Sequence, residues 1–229
     1  SFPFITKYNN FTDDSKDYLQ GIFDTILNKD IARRLNIADT VSLENVTKFL
    51  FHSIGNKISP TKIANTLKSA GKSVDQKTVD KYIKGLVDSM LIYEAGRYNI
   101  KGKQFLSTQS KYYVVDVGMR NALVKSSESD IGHILENIVY LELKRRYKNV
   151  YVGEIDSGEV DFVSVNDNKY EYYQVSATTL DENTLKRELA PFGKIKDNYP
   201  KYLLTLDDVF SNADYNGVQK INVLEWLLK

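Results

Sequence analysis

The stretch that decides the fold is residues 133–176, which read HILENIVYLELKRRYKNVYVGEIDSGEVDFVSVNDNKYEYYQVS. Apolar residues at helical spacing predict a helix from about Asp130 to Tyr147. Two runs that follow it, residues 150–155 and 159–165, predict strands, and a third strand follows the turn residues near position 167. A helix followed by paired strands predicts an α/β domain built on a mixed sheet flanked by helices.

The second and third strands predict a hairpin that brings polar side chains together. If residues 167–168 form a two-residue turn, Asp161 lies opposite Gln174, and Glu159 lies opposite Ser176. Strict alternation divides the second strand into two faces. Glu159, Asp161, Val163 and Val165 would point one way, and Val160, Phe162 and Ser164 the other.

The preceding helix supplies a further acid. His133, Glu136 and Tyr140 are three and four residues apart, so they share one side of the helix. Glu136, Asp161 and Gln174 are therefore the candidate catalytic residues. Together with Glu159, the same three are the candidate ligands of a divalent metal ion, because carboxylate and amide oxygens suit Mg²⁺.

Three segments carry a resemblance to a known family: His133-Ile-Leu-Glu-Asn-Ile-Val-Tyr-Leu-Glu-Leu, Gly158-Glu-Val-Asp-Phe-Val and Tyr172-Tyr-Gln-Val-Ser. They resemble the PD-(D/E)XK nuclease-like core of the C-terminal region of a prokaryotic AAA-type ATPase family. The resemblance implies α/β architecture, α+β overall, with a winged helix-turn-helix followed by a restriction-endonuclease-like sheet. It implies a helical connector from a missing ATPase module at residues 1–40, a winged helix at 41–108 and the nuclease-like domain at 109–229.

The winged-helix prediction also rests on the residues themselves. A helix near 43–54 is followed by one opening at Ser59-Pro60, a cap residue and a first-turn proline. A third helix is expected to be capped by Ser73. Its apolar stripe is Val79, Ile83, Leu86, Val87 and Met90. A short wing would then turn at Ala95-Gly96.

Basic residues on these elements form a candidate nucleic-acid-binding surface. Lys77, Lys81 and Lys84 lie on the polar side of the third helix, and Arg97 and Lys101 lie on the wing. Cations so placed would contact phosphates. The alternative is an ordinary solvated helix face, since winged helices also serve protein–protein contact.

Composition excludes several classes of function. The net charge is +1, so a basic surface must be local. Cysteine is absent, which excludes disulfides and thiolate metal sites. There is no G-x-x-x-x-G-K-[ST] motif, so ATP is expected to bind only the missing module. No apolar run is long enough to span a bilayer, so no membrane partner and a cytoplasmic location are expected.

Phosphodiester cleavage would need clustered carboxylates, Mg²⁺ and a cation near the attacking water. Gln174 stands where the nuclease-like pattern has an acid, and Ser176 stands where it has a lysine. Lys169, Lys186 and Arg187 are expected to reach the site only if the chain bends unusually. Three interpretations follow: a degenerate nuclease fold used for binding, an active Mg²⁺-dependent nuclease, and a purely structural role for the acids.

The expected function is accordingly a module that binds nucleic acid or a partner, with no cofactor of its own unless Mg²⁺ serves a working nuclease site. The partners considered are DNA, the ATPase module and a partner protein. The first alternative is a Mg²⁺-dependent nuclease acting on DNA. The second is a protein-interaction or regulatory module without affinity for nucleic acid.

Overall fold

The computed structural model describes Ile5 and residues 12–125, 127, 130–156, 158–167 and 169–229, without the side chains of residues 107 and 108. Apart from Ile5, the segment before residue 12 lies outside the described residues. The chain divides into two compact units. Unit 1 is Ser1–Glu94 with Ser110–Ser127, and unit 2 is Ala95–Gln109 with Glu128–Lys229. Two strands are divided between the units: β2 (Ile92–Asn99) after Glu94, and β3 (Gln104–Val114) after Gln109.

Unit 1 is mainly helical. Its elements are α1 (Asp13–Asp24), a π-helix (Thr25–Ala32), α2 (Thr40–His52), β1 (Lys57–Ile58), α3 (Pro60–Ser69), α4 (Gln76–Asp88), the unit 1 halves of β2 and β3, and α5 (Val117–Leu123). Strand β1 pairs antiparallel with β3 through Lys57 and Lys111. Leu19, Phe23 and Ile31 are fully buried, so the helices that precede α2 pack in the core of unit 1.

Helix caps in unit 1 follow local chemistry. The Ser59 hydroxyl accepts from the Lys62 N–H at 3.2 Å and Pro60 opens α3, as predicted. The predicted cap of α4 is wrong, because Asp75 and not Ser73 accepts from the Thr78 N–H, at 3.1 Å. Residue 75 carries the carboxylate that satisfies the first free N–H groups, so the helix begins two residues later than Ser73 would require.

The other end of α4 and the predicted wing also differ from expectation. Met90 is not part of the buried stripe, because α4 ends at Asp88 and Met90 is 65% exposed. The predicted turn at Ala95-Gly96 is wrong, because β2 runs unbroken through both and Ala95 is fully buried. The chain turns later, where the Asn99 side chain accepts from the Gly102 N–H at 2.6 Å.

Unit 2 is a mixed α/β structure, which confirms the predicted class. Besides its halves of β2 and β3 it contains α6 (Ile131–Arg146), β4 (Val150–Ile155), β5 (Gly158–Asn166), β6 (Lys169–Ser176), α7 (Glu182–Leu189), a 3-10 turn (Phe192–Lys194), β7 (Lys201–Thr205), β8 (Asp214–Tyr215), β9 (Val218–Asn222) and α8 (Val223–Leu227). The strand order is β3-β2-β4-β5-β6-β7-β9-β8. Pairing directions make β2, β4, β6, β7 and β9 mutually parallel, so their carboxyl ends share one edge.

Helices cover both faces of this sheet. Tyr172 faces a core that includes Leu185 and Leu189 of α7. The next residue, Tyr173, faces the other way, and its ring contacts the Trp226 ring of α8 with centroids 6.1 Å apart. Helix α6 lies on that second face, because the guanidinium of its Arg146 stacks on Trp226 at 4.1 Å. Helices α6 and α7 therefore lie on opposite faces of the sheet.

A β-bulge interrupts β5 where that strand pairs with β4. Tyr151 pairs with Val163, but Gly153 pairs with Val160, so β5 carries one more residue than β4 in this interval. The strict alternation predicted for β5 is therefore wrong. Val160 and Val163 both face the core under α7, whereas Phe162 contacts Tyr140 of α6 with ring centroids 5.5 Å apart. Because of the extra residue, the Asp161 side chain does not share the face of the sheet on which Val163 lies.

Candidate functional site

A polar cleft of about 620 Å³ opens at the carboxyl ends of the strands in unit 2. Side chains from α6, β5, β6 and α7 line it. They include His133, Glu136, Asp161, Gln174, Ser176, Arg187 and Glu188. Ligands of α/β sheets bind at this edge, because loops and helix ends converge there beyond the last strand hydrogen bonds. The cleft is therefore the candidate site of unit 2.

Asp161 and Gln174 meet at the end of the β5–β6 ladder. Asn166 pairs with Lys169, as the predicted two-residue turn requires, and the ladder runs to Phe162 and Tyr173. Beyond it, side chains continue the bonding: the Asp161 N–H donates to Gln174 Oε1 at 3.3 Å, and the Val175 N–H donates to Asp161 Oδ2 at 2.9 Å. Both functional groups thus bond to the main chain of the neighbouring strand.

Glu188 of α7 continues this chain of hydrogen bonds. Gln174 Nε2 donates to Glu188 Oε2 at 2.9 Å. The other carboxylate oxygen of Glu188 accepts from Arg187, at 3.1 Å from Nε and 2.8 Å from Nη2. Asp161, Gln174 and Glu188 are each at least nine-tenths buried. Burial of an ionised carboxylate is tolerated when charged and neutral donors satisfy its oxygens, as they do here.

Glu136 reaches the cleft from α6. It is 8% exposed, and its Oε2 lies 4.0 Å from His133 Nδ1. Glu136, Asp161 and Gln174 therefore line one cleft, as the sequence suggests they would. Glu159 differs: it pairs with Glu154 in the β4–β5 ladder, and among the described residues it is not part of the cleft lining.

Two residues of this cleft escape prediction from the sequence. Glu188 is not among the predicted site residues, and the sequence predicts that Arg187 reaches the site only if the chain bends unusually, yet both line the cleft. The signal was available in α7, where Leu185 and Leu189 mark the buried face and position 188 is three residues after Leu185. Ser176 stands where the nuclease-like pattern has a lysine, and its hydroxyl donates to the Thr178 carbonyl at 2.9 Å.

The metal site stays a prediction. Within the part of the chain that the structure describes, no group of three or more His, Cys, Asp or Glu side chains is placed to hold a metal ion. Of the proposed ligands, Glu136, Asp161 and Gln174 line the cleft and Glu159 does not.

The predicted basic surface is divided between the units. Lys77, Lys81 and Lys84 are exposed on α4 in unit 1. Arg97 and Lys101 belong to unit 2. Arg97 forms an ion pair with Glu154, with Nη2 2.6 Å from Oε2 and its side chain 12% exposed, so it is neutralised locally. The exposed Lys101 lies 2.9 Å from Asp156. The two groups thus belong to different units.

Comparisons with known proteins supply a family but no activity. A family model described as a domain of unknown function (DUF8612) matches residues 1–130. An uncharacterized protein of Haemophilus influenzae is 39% identical over 211 residues, which cover 92% of this chain and 52% of that protein. An uncharacterized protein of Methanocaldococcus jannaschii is 34% identical over 216 residues, covering 91% of this chain and 45% of that protein. The chain spans about half the length of these relatives.

Structural similarity adds nothing further. The crystal structure of a Vibrio cholerae protein aligns over 88% of this chain and 53% of its own, with 11% identity and a TM-score of 0.27, too low to indicate a shared fold. Among the described residues, no helix has the length and apolar character that crossing a membrane requires.

These findings correct the resemblance drawn from the sequence. The assignment to an AAA-type ATPase family is wrong, because the matching family model is a domain of unknown function and both relatives are uncharacterized proteins. The assignment of residues 1–40 as a connector to an ATPase module loses its basis with it. The quoted segments describe a helix followed by a hairpin, a pattern that many unrelated proteins share.

Proposed function

The chain belongs to the family described as a domain of unknown function (DUF8612), and we propose that it is a nucleic-acid-binding module whose second unit is a nuclease-like domain that does not cleave. The observation that carries the proposal is the exposed face of α4. Lys77, Lys81 and Lys84 follow one another at spacings of four and three residues, so they form a single row. Among the described residues, no acidic side chain forms an ion pair with any of them.

The element order of unit 1 supports this role. Helices α2, α3 and α4, the short strand β1 and the paired ends of β2 and β3 follow the order of a winged helix-turn-helix. In such a module the third helix is laid in the major groove. Buried Val79, Ile83 and Leu86 hold α4 on the core, which leaves the lysine row facing outward.

The hydrogen bonds of the cleft support the absence of cleavage. Asp161 and Gln174 both bond to the main chain, and the Gln174 amide also holds Glu188. A hard cation is held by oxygens free to converge on it. Side chains engaged in bridging two strands and a helix act in this interpretation as structural groups that fix the edge of the sheet.

Binding is tested with labelled duplex DNA by fluorescence anisotropy across a series of salt concentrations. We expect measurable affinity that falls steeply with salt, because cations that contact phosphates release counterions. The Lys77→Ala, Lys81→Ala, Lys84→Ala triple variant is expected to reduce the slope of log K against log[salt] by about 1 for each phosphate that a lysine no longer neutralises.

The matched control is Lys16→Ala, which removes an exposed lysine of α1 that pairs with Asp13. It should leave both affinity and slope unchanged. Equal binding by the triple variant and the wild type would overturn the proposal. Absence of duplex binding at low salt would favour the alternative, a protein-interaction or regulatory module.

A second candidate is a Mg²⁺-dependent nuclease, and one observation favours it. Arg187 brings a guanidinium, and Glu188 a carboxylate, to the cleft that also holds Glu136 and Asp161. A cation and acids on one cleft are the groups that metal-assisted hydrolysis needs: the acids would hold Mg²⁺, which activates a water, and the cation would stabilise charge on the phosphate.

Nicking of supercoiled plasmid during a Mg²⁺ titration decides between the two functions of unit 2. A nuclease predicts Mg²⁺-dependent nicking that Asp161→Ala abolishes and Arg187→Ala reduces by about tenfold or more. Glu182→Gln, an exposed acid on the same helix as Arg187, is the control and should retain full nicking. Absence of nicking by the wild type at every Mg²⁺ concentration supports the non-cleaving interpretation.

A further inference from the structure

A second groove, of about 670 Å³, lies in unit 2 and differs in charge from the cleft. Its floor is apolar and contains the buried side chains of Ile100, Ile155 and Ile195. Its rim carries four lysines and two aspartates, an excess of two positive charges. These rim residues are Lys101, Lys103, Lys194, Lys196, Asp156 and Asp197. The whole chain has a net charge of only +1, so the groove concentrates positive charge.

The backbone presents these lysines to solvent. In the turn after β2, the Asn99 side chain accepts from the Gly102 N–H at 2.6 Å, which holds the loop that carries Lys101 and Lys103. On the other side of the groove, the buried Ile195 anchors the segment between Lys194 and Lys196, both of which are exposed. Two separate anchored segments thus hold cations around one apolar floor.

The aspartate charges are largely compensated by other groups. Asp156 lies 2.9 Å from Lys101. Asp197 accepts from the Tyr172 hydroxyl at 2.6 Å and lies 3.8 Å from Lys201, a lysine outside the groove. Because Lys101 is itself a rim lysine, its pairing with Asp156 cancels one charge of each sign, and the rim keeps its net positive charge.

Aromatic rings continue from this rim. Lys103 Nζ lies 5.7 Å from the centroid of the Tyr170 ring. Two residues further along, Phe105 is 65% exposed and contacts the Tyr151 ring with centroids 5.0 Å apart. A large exposed aromatic ring on the same chain segment as two rim lysines can stack on a base while the lysines contact phosphates of unpaired nucleic acid.

The groove and the cleft lie at the same edge of the sheet. The groove borders the carboxyl ends of β2 and β4, and the cleft borders the carboxyl end of β6. Pro191 lines the cleft and Gly193 lines the groove, so their Cα atoms are at most about 7 Å apart. The groove and the cleft are therefore neighbours in unit 2.

We infer that this lysine groove binds the phosphate backbone of single-stranded nucleic acid, with Phe105 as a stacking surface for a base. The inference rests on the proposed function for its class of ligand, nucleic acid. It differs in placing the binding site in unit 2 rather than on α4 of unit 1, and in naming single strands rather than duplex DNA as the ligand. Sequence position alone assigns Lys101 to a wing. The geometry assigns it, with Lys103, Lys194 and Lys196, to unit 2. Phosphates suit the rim, and the planar faces of bases suit the apolar floor and the ring.

The test measures binding of labelled dT20 and rU20 by fluorescence anisotropy across a salt series with the full chain. The Lys194→Ala, Lys196→Ala double variant is expected to lose about tenfold in affinity for either oligonucleotide and to flatten the salt slope by about 1.4, at 0.7 for each neutralised phosphate. Phe105→Ala is expected to lose about fivefold or more in affinity with an unchanged slope, because stacking carries no counterion release.

Lys169→Ala is the matched control. This exposed lysine is the first residue of β6, at the end of the strand away from the cleft, and it does not line the groove. It should bind as the wild type does. If the double variant binds both oligonucleotides as tightly as Lys169→Ala does, the inference is overturned, regardless of how the α4 triple variant binds duplex DNA. If the α4 triple variant binds duplex DNA normally while the groove variant loses single strands, the proposed function fails and the inference stands. Absence of binding to every probe overturns both.

Discussion

The side-chain amide of Gln174 donates to the carboxylate of Glu188 at 2.9 Å, which joins the end of β6 to α7 across the wall of the cleft. The same amide accepts from the Asp161 N–H at 3.3 Å. One neutral side chain thus bonds simultaneously to a strand and to a helix carboxylate. Gln174 therefore stabilises the edge of the sheet in addition to lining the cleft.

Replacement of Gln174 by Leu should destabilise unit 2. The substitution leaves the buried Glu188 carboxylate without this donor and the Asp161 N–H without this acceptor. We expect the free energy of unfolding to fall by about 2 kcal/mol or more, because unsatisfied buried polar groups cost about 1–3 kcal/mol each. Urea unfolding followed by circular dichroism measures the change.

Gln219→Leu provides the comparison, because Gln219 is exposed on β9 of the same sheet. Its effect should stay within about 0.5 kcal/mol. Similar losses for the two variants would show that Gln174 has no special structural role.

The buried ion pair of Asp207 and Lys220 should be the most sensitive charged pair in unit 2. Lys220 Nζ lies 2.8 Å from Asp207 Oδ2, with both side chains at most 3% exposed. Lys220→Met is expected to cost about 3–5 kcal/mol, because it leaves a carboxylate buried without its counter-charge. Glu182→Gln, which breaks an exposed pair on α7, should change stability by less than about 1 kcal/mol. Urea midpoints of the two variants give the comparison.

Acid should weaken unit 2 through Asp207. Burial opposes ionisation, but hydrogen bonds from Lys220, Thr178 and Thr179 hold the pKa of Asp207 well below its usual range. A depressed pKa means that the unfolded state binds the proton more readily. This contribution to stability is therefore present above the unfolded pKa of about 3.9 and is lost as the pH falls below it.

The measurement is urea unfolding between pH 5 and pH 3. The wild type should lose stability over this interval more steeply than Asp207→Asn, which has no proton to bind at that position. Parallel pH profiles would contradict the assignment of this titration to Asp207.

Gly153 pairs with Val160 next to the bulge and has little space for a side chain. A Cβ at Gly153 would lie 2.8 Å from Ile100 Cδ1 and 3.3 Å from Val160 Cβ. Gly153→Ala is expected to cost about 1–3 kcal/mol, because the close-packed core must shift. Gly132→Ala in α6 meets no atom within 4 Å and should instead add up to about 1 kcal/mol through helix propensity. Thermal unfolding of both variants tests the difference in sign.

Local chemistry was readable from the sequence. Ser59 and Pro60 start α3 because a hydroxyl acceptor and a residue without an N–H suit the first turn of any helix. The β5–β6 register followed from the predicted two-residue turn, because that turn pairs Asn166 with Lys169 and so brings Asp161 near Gln174 at the other end of the ladder. These features depend on a few neighbouring residues, so they do not need the remainder of the fold.

The sequence by itself thus determined the α/β class, most helices and strands, and the presence of Glu136, Asp161 and Gln174 near one another. Only the tertiary structure decided that Asp161 leaves the alternating pattern at a bulge and that Arg187 and Glu188 of α7 complete the cleft. It also decided that β2 continues through Ala95, because the burial of Ala95 and the pairing of residues 97–99 with β4 outweigh a local turn signal. The spacing of Leu185 and Leu189 indicates which side of α7 is buried, but which elements that side meets depends on contacts between segments far apart in the chain.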